Sequence, residues 1–311
     1  MVNRGKCSNS ACRRRTQHKN KEGEFLCVFC DMALEDKLTD RQEKILDLIA
    51  KSSLSDSEIN ILLKSKPPRQ VRPIHRTYFG KDKIRIGVVS DFHMGSKYFN
   101  EPGFEYCIER FNREKVDAIY FPGDILEGMS QRDGQIFELS EIGYTEQLNK
   151  AVSRLKKFKH PFYFITGNHD KWAKDKGNLG LSIGEEIERR VPNAKFLGEM
   201  EATVDLGYNI KMKLTHRGNS STYALSYSGQ RMINNIPGGE KPNIILNGHL
   251  HKSIYMYYRN IHYLEAGTLQ NQTEFMKMKG APANVGFWII DIELGNKGVT
   301  GFKPSWYPIF E

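Results

Sequence analysis

From Gly80 onward, the sequence alternates short β-branched and aromatic runs, each ending in a polar, glycine-bearing loop, with helical patterns. The runs predict strands at residues 84–90, 118–122, 162–166, 210–215, 243–247, 253–258, 262–265 and 285–292. Helical periodicity predicts helices at residues 102–113, 145–158, 183–190 and 221–235. The early strand–helix rhythm predicts a parallel α/β sheet, whereas the strand-rich part from Asn243 predicts antiparallel hairpins.

Side chains that bind metal ions stand in the loops where these predicted strands end. Five motifs contain them: SDFHMG, PGDILEG, TGNHD, LTHRG and NGHLHK. The residues concerned are Asp91, His93, Asp124, Asn168, His216, His249 and His251. Loops beyond the carboxyl ends of strands in an α/β sheet converge on one crevice, so we expect these side chains to share one site.

The residue types in the motifs indicate which metal such a site would hold. Carboxylate oxygens, imidazoles and one amide oxygen suit manganese, iron or zinc, and disfavour an all-oxygen calcium or magnesium cage. The D-x-H and H-x-H spacings are expected to place both side chains on one face of an extended segment. Any one of these residues could be an ordinary turn residue, but five motifs in order at strand ends are not explained in that way.

The order and spacing of the motifs resemble the calcineurin-like metallophosphoesterases, whose pattern is D-x-H, G-D, G-N-H-[DE], a later His and G-H-x-H. The match spans roughly residues 84 to 270. The resemblance implies an α/β fold with a two-sheet β-sandwich flanked by helices in four αββα layers, and hydrolysis of phosphate esters. It assigns one divalent ion to Asp91, His93 and His251 and the other to Asn168, His216 and His249, with Asp124 as the bridge.

The resemblance also implies roles in catalysis. Paired cations, for which manganese is the expected choice in vitro, activate a water and clamp the phosphoryl oxygens for in-line attack. His169 looks like the family histidine that steadies or protonates the departing oxygen. Glu127 occupies a position where some family members place an acid that orients this histidine, so we expect a hydrogen bond between Glu127 and His169.

Four of the five cysteines lie near the start of the chain. The pattern C-x4-C followed by C-x2-C, formed by Cys7, Cys12, Cys27 and Cys30, resembles a zinc ribbon with one structural zinc ion. Disulfides are the alternative, which reduced cytosolic thiols disfavour. The predicted organisation is a zinc-ribbon-like module at 1–36, a two-helix segment at 37–66, a linker at 67–80 and a metallophosphoesterase domain at 81–311.

Charge is distributed unevenly along the chain. Residues 1–90 contain 19 Lys and Arg against 11 Asp and Glu, whereas residues 91–311 contain 27 against 26. A basic region of this kind fits a polyanion such as DNA or RNA, although a solvated surface is the alternative explanation. No run approaches the roughly 20 apolar residues of a membrane span, and the start lacks a secretory signal, so a cytoplasmic protein is expected.

Three functions compete. The leading hypothesis is a nuclease that cleaves phosphodiester bonds in DNA or RNA. Gly128 and Met129 follow Glu127 where family protein phosphatases have the arginine that binds a phosphomonoester. The alternative is a phosphatase or a cyclic-nucleotide or small-molecule phosphodiesterase that uses the zinc ribbon to dock a protein. The least favoured function is a non-catalytic binding subunit, because no ligand of the motif set is lost.

Overall fold

The computed structural model describes residues 74–77, 79–129, 132–175, 182–217 and 224–310, together with two short strands near the amino terminus. The chain divides into two compact units, Met1–Val71 and Arg72–Glu311. In the first unit, strand β1 (Gly5–Lys6) pairs antiparallel with β2 (Arg15–Thr16). The two-helix segment 37–66 and the predicted zinc ligands lie outside the described residues; these ligands are Cys7, Cys12, Cys27 and Cys30.

Strands of the second unit alternate with helices over its first half. The described strands are β3 (Ile74–Arg76), β4 (Lys83–Val88), β5 (Ala118–Pro122), β6 (Phe162–Thr166), β7 (Ala194–Glu199), β8 (Glu201–Asp205), β9 (Lys211–Thr215), β10 (Ile244–Asn247), β11 (Ser253–Tyr258), β12 (Ile261–Ala266), β13 (Gly286–Gly295) and β14 (Gly298–Pro308). The described helices are α1 (Glu101–Arg113), α2 (Tyr144–Leu155), α3 (Trp172–Asp175), α4 (Ile183–Arg190), α5 (Tyr227–Asn234) and α6 (Glu274–Met278). Among these helices, none has the length and apolar character to cross a bilayer.

Two six-stranded sheets form the centre of the second unit. The first sheet has the order β14-β13-β4-β5-β6-β7, and its strands β4 to β7 run parallel. The second sheet has the order β11-β12-β10-β9-β8-β3. The prediction of antiparallel hairpins from Asn243 is correct for β11 with β12 and for β13 with β14, but wrong for β10, which runs parallel to both β9 and β12. The β11–β12 hairpin places β12, rather than β11, beside β10, and β12 runs in the same direction as β10. A prediction that pairs each strand with the next one along the chain cannot find this arrangement.

Buried apolar side chains of the second unit form clusters between the two sheets and between each sheet and its helices. In β4 they alternate, so that Ile84, Ile86 and Val88 face the second sheet while Val89, just beyond the strand, faces the helices. Helices α1, α2 and α4 cover the outer face of the first sheet. Helix α5 covers the second sheet through Ile233, which packs with Ile245 and Tyr263. The structure therefore confirms the predicted αββα layering.

Helix α1 shows how the local sequence produces these layers. Asn100 caps its first turn by accepting a hydrogen bond from the Gly103 N–H at 2.6 Å. Phe104, Ile108 and Phe111 recur at helical spacing and pack against the first sheet. Cys107 lies on the same face and is buried.

Four strands of the second unit were not predicted from the sequence: β3, β7 and β14 lie at the edges of the sheets, and β8 lies next to an edge. Strand β14 contains Pro304 and Pro308, which cannot donate to a ladder but are tolerated in an edge strand. Strand β3 is three residues long and falls within the segment 67–80 that was predicted as a linker. Strands β7 and β8 are separated by Met200 alone, whose φ of 62° allows the tight turn between them.

Candidate active site

Every predicted metal-ligating side chain of the second unit lies just beyond the carboxyl end of a strand. Asp91 and His93 follow β4, Asp124 follows β5 and Asn168 follows β6. His216 follows β9, whereas His249 and His251 follow β10. The parallel strands of both sheets therefore bring their ends to one place, and the site is shared between the two sheets.

The backbone at this place is unusual, because five of the seven residues adopt left-handed conformations. Their φ angles are 53° for Asp91, 52° for His93, 60° for Asp124, 84° for His249 and 53° for His251. Non-glycine residues seldom adopt such angles, and clusters of them mark functional sites where the surrounding structure enforces the strain. The D-x-H and H-x-H segments are thus irregular backbone rather than strands. The expectation of an extended segment was wrong, although both side chains of each motif do reach the site.

The first group of ligands consists of Asp91, His93 and His251. The Nε2 atoms of His93 and His251 lie 3.1 Å apart, and His251 Nε2 lies 3.2 Å from Asp91 Oδ1. All three side chains are buried. Although burial acts in the opposite direction, His216 and His251 hold the pKa of Asp91 well below its usual range. This group contains the same residues as the predicted first ion site.

The second group consists of Asp124, His216, His249 and Asn168. His216 Nε2 lies 2.9 Å from Asp124 Oδ2, and His249 Nδ1 lies 3.0 Å from Asn168 Oδ1. Asp124 Oδ2 also lies 3.8 Å from His93 Nε2, which places this carboxylate between the two groups. Against the effect of burial, Asp124 and Asp91 raise the pKa of His216 to about 9.

Hydrogen bonding at His216 provides a test of whether the site fits a cation. Its Nδ1 donates to the Pro122 carbonyl oxygen at 2.7 Å, so Nε2, which lies 2.9 Å from Asp124 Oδ2, is the ring atom that would ligate a cation. Within the described part of the chain, the buried Nδ1 of His251 has no hydrogen-bond partner. Oxygen and nitrogen lone pairs that converge in a buried space are the donor set of a borderline divalent cation. The residues present therefore fit the pair of cations that the motifs imply.

His169 lies at the rim of this site and is half-buried. Its backbone N–H donates to Asp124 Oδ1 at 2.9 Å, and its Nδ1 lies 2.6 Å from the backbone carbonyl oxygen of Glu127. The expected contact between Glu127 and His169 is therefore made through the backbone. The Glu127 carboxylate points elsewhere, with Oε2 at 2.9 Å from His93 Nδ1. His93, His169 and Gln135 outweigh burial and lower the pKa of Glu127 to about 2.

Asp170 has a structural role that the sequence reasoning did not assign. Its buried carboxylate accepts hydrogen bonds from the backbone N–H groups of Ile125 at 3.2 Å, Leu126 at 2.8 Å and Gly167 at 2.9 Å. These bonds tie the loop after Asp124 to the loop that carries Asn168. Burial and the nearby Asp124 carboxylate raise the pKa of Asp170 to about 7. The signal was present, because Asp170 is the last residue of the TGNHD motif.

Comparison with protein families agrees with this geometry. A model of the calcineurin-like phosphoesterases matches residues 84–253, which contain both groups of ligands. The chain belongs to this family. The family fold implies divalent metal ions. Among the residues that the structure describes, three clusters could hold one: Asp91–His93–His251, Asp124–His216–His249 and His93–Glu127–His169.

Several curated proteins are similar to this phosphoesterase. The DNA polymerase II small subunit of Methanocaldococcus jannaschii is 26% identical over 313 residues, which cover 85% of this chain and 51% of that protein. The DNA polymerase II small subunit of Archaeoglobus fulgidus is 26% identical over 263 residues, covering 70% of this chain and 53% of that protein. The chain spans about half the length of the curated relatives it matches.

Solved structures of two phosphoesterases are also similar to this chain. An archaeal phosphodiesterase aligns with a TM-score of 0.43 at 15% identity, covering 72% of this chain and 100% of that chain. The phosphoesterase YfcE of E. coli aligns with a TM-score of 0.40 at 16% identity, covering 71% of this chain and 98% of that chain.

Proposed function

We propose that this phosphoesterase hydrolyses phosphodiester bonds in a nucleic acid strand, as a nuclease that uses two divalent cations. The main support is the complete set of seven ligands, gathered into two groups with Asp124 between them. Asp91, His93 and His251 would hold one cation, and Asn168, His216 and His249 the other. Bound there, such cations supply an activated water and neutralise the charge of the phosphoryl oxygens.

The chain's own side chains supply the remaining steps. The Nδ1–H of His169 donates to the Glu127 carbonyl, which fixes the ring and leaves Nε2 as the atom that meets the substrate. From the rim, the imidazolium form of His169, with a proton on each ring nitrogen, would transfer its Nε2 proton to the departing oxygen and leave the neutral ring bound to the Glu127 carbonyl. Because the His169 N–H also binds Asp124 Oδ1, the histidine is held at a set distance from the carboxylate that lies between the ligand groups.

Preference for a diester is supported by the loop after Glu127. Gly128 has a φ of 69°, and a Cβ there would lie 2.7 Å from the His169 backbone oxygen. A larger side chain therefore does not fit at the position where family phosphatases carry the arginine for a terminal phosphate. Without that cation, a dianionic monoester lacks a partner for its extra charge, whereas a singly charged diester does not need one.

Preference for nucleic acid is supported by the basic character of residues 1–90 and by the names of the relatives. Clustered Lys and Arg bind polyanions by releasing counterions. The polymerase relatives, as named, work as small subunits of a DNA polymerase. A zinc-ribbon-like segment formed by Cys7, Cys12, Cys27 and Cys30 would present these charges to the strand.

The same relatives favour a second candidate, a polymerase accessory subunit in which the site no longer reacts. This candidate predicts no hydrolysis of any ester. It explains the similarity to DNA polymerase II small subunits, but gives no reason why all seven ligands are present.

An assay on labelled single-stranded DNA, double-stranded DNA, RNA and bis-p-nitrophenyl phosphate with Mn²⁺ separates these functions. We expect cleavage of a polynucleotide, loss of cleavage in Asp124→Asn, and a fall in kcat of about 10²- to 10⁴-fold in His169→Gln. His262→Gln is the matched control, because His262 lies at the end of β12 remote from the site. Turnover of the small diester with all polynucleotides intact would reject the proposed substrate. No turnover of any ester would favour the accessory subunit.

A further inference from the structure

The carboxylate of Glu127 is buried next to the first ligand group, and the proposed mechanism leaves it without a role. It is 3% exposed, and its oxygens face three side chains from different parts of the chain. Oε1 accepts a hydrogen bond from Gln135 Nε2 at 2.7 Å, and Oε2 accepts one from Gln270 Nε2 at 3.0 Å. The remaining neighbour is His93 Nδ1, 2.9 Å from Oε2. A buried carboxylate is costly unless polar groups surround it, and here two glutamine donors and the His93 imidazole do so.

The two glutamines are themselves fixed in place. Gln135 is 1% exposed and begins the 3₁₀ turn Gln135–Glu138, and Gln270 is 2% exposed. The Gln270 N–H donates to Thr268 Oγ1 at 2.9 Å, and Thr268 Oγ1 donates to the Asp91 carbonyl at 2.8 Å. The backbone of one ligand, Asp91, therefore sets the position of the donor that orients Glu127.

His93 is the side chain that this arrangement constrains. Its Nε2 faces Asp91 and His251, so its other ring nitrogen, Nδ1, faces Glu127. A carboxylate at Nδ1 favours the tautomer with the proton on that atom and leaves the Nε2 lone pair for a cation. We propose that Glu127 is a positioning residue that holds His93 in the tautomer and orientation needed to ligate the cation of the first group.

This inference rests on the proposed two-cation site, and it differs from the role expected for Glu127 from the sequence. A carboxylate that oriented His169 would affect the reaction step. A carboxylate that positions His93 affects cation binding at the first group and leaves the second group unaffected. The contact of Glu127 with His169 runs through the backbone carbonyl, which survives a change of side chain.

Calorimetric titration of Mn²⁺ into Glu127→Gln tests the proposal without an activity assay, so the result does not depend on the substrate. Glutamine has the shape of glutamate, but its side-chain amide has one acceptor oxygen and one donor nitrogen in place of two acceptor oxygens. It therefore cannot present an acceptor to Gln135, Gln270 and His93 together. We expect the affinity of one of two Mn²⁺ ions to fall by about 10- to 100-fold and that of the other to stay unchanged. Glu127→Asp, which keeps the charge, should recover part of the loss.

Two further measurements separate positioning from a general structural role. Glu114→Gln is the matched control and should leave both affinities unchanged, because Glu114 is a partly buried carboxylate of the same domain that pairs with Arg85 and Arg110 rather than with a ligand. If the nuclease activity is found, kcat of Glu127→Gln should return to the wild-type value at saturating Mn²⁺. Unchanged affinity for both ions, equal loss at both, or a kcat that stays low at saturating Mn²⁺ would each overturn the proposal.

Discussion

At the scale of single residues, similar carboxyl groups have opposite protonation preferences because their surroundings differ. Histidines and a glutamine lower the pKa of Glu127 to about 2. Burial raises the pKa of Glu265 to about 8, even though Tyr263 and Asn247 donate hydrogen bonds to it. Asn247 in turn bonds the backbone of Arg217, next to the ligand His216, at both its N–H and its carbonyl. Glu265 therefore supports the loop of the second group as a neutral acid.

The raised pKa of Glu265 predicts a dependence of stability on pH. Between about pH 4.5 and pH 8, the Glu265 carboxyl keeps its proton in the folded state but has released it in the unfolded state, where its pKa is near 4.5. The stabilisation is fully present below about pH 4.5 and is lost as the pH rises to about 8. Glu265→Gln cannot ionise, so the unfolding free energy of the metal-free variant minus that of the wild type should be larger at about pH 9 than at about pH 5. One pKa unit corresponds to about 1.4 kcal/mol, so the change should amount to a few kcal/mol.

Denaturant unfolding of the EDTA-treated proteins at both pH values measures this difference. Glu240→Gln, an exposed glutamate on the same domain, serves as the control and should show no such change. If the difference in unfolding free energy between Glu265→Gln and the wild type is the same at both pH values, Glu265 is ionised in the folded protein and the prediction is wrong.

At the scale of elements, the loops at the strand ends depend on glycines that allow ligands to approach the backbone. A Cβ at Gly167 would lie 2.1 Å from Asp124 Oδ1 and 2.7 Å from Asp124 N. Gly167→Ala must therefore displace the carboxylate that lies between the two groups. We expect the affinity for both cations to fall by at least about 10-fold, measured by Mn²⁺ titration. Gly239→Ala is the control, because nothing lies within 4 Å of its added Cβ; equal affinities of the two variants would contradict this view of the loop.

The elements also show what the sequence could predict. Strands β5, β6 and β11 begin and end where their apolar runs do, because each run is bounded by turn residues. The ligands were predictable because metal-binding residue types recur at strand ends. The direction of the Glu127 carboxylate was not, because Gln270, 143 residues away, decides it. The edge strand β14 was not predicted because prolines argue against a strand. They are tolerated here because β14 pairs on one side only.

At the scale of the whole molecule, the chain combines a basic first unit with a second unit that contains the ligand groups. If the first unit binds the strand, replacing Arg13, Arg14 and Arg15 with Gln should weaken DNA binding and reduce its salt dependence by about 0.9 in log–log slope per lost phosphate contact. Turnover of bis-p-nitrophenyl phosphate should not change. Fluorescence anisotropy at several salt concentrations measures the slope. An equal effect from replacing exposed Lys156, Lys157 and Lys159 of the second unit would contradict the assignment.

The two-cation site is the basis of the whole account, and anomalous diffraction from crystals soaked in Mn²⁺ tests it most directly. We predict two manganese peaks, one among Asp91, His93 and His251 and one among Asn168, His216 and His249, with Asp124 contacting both. A single peak, or manganese bound away from these seven side chains, would contradict the account.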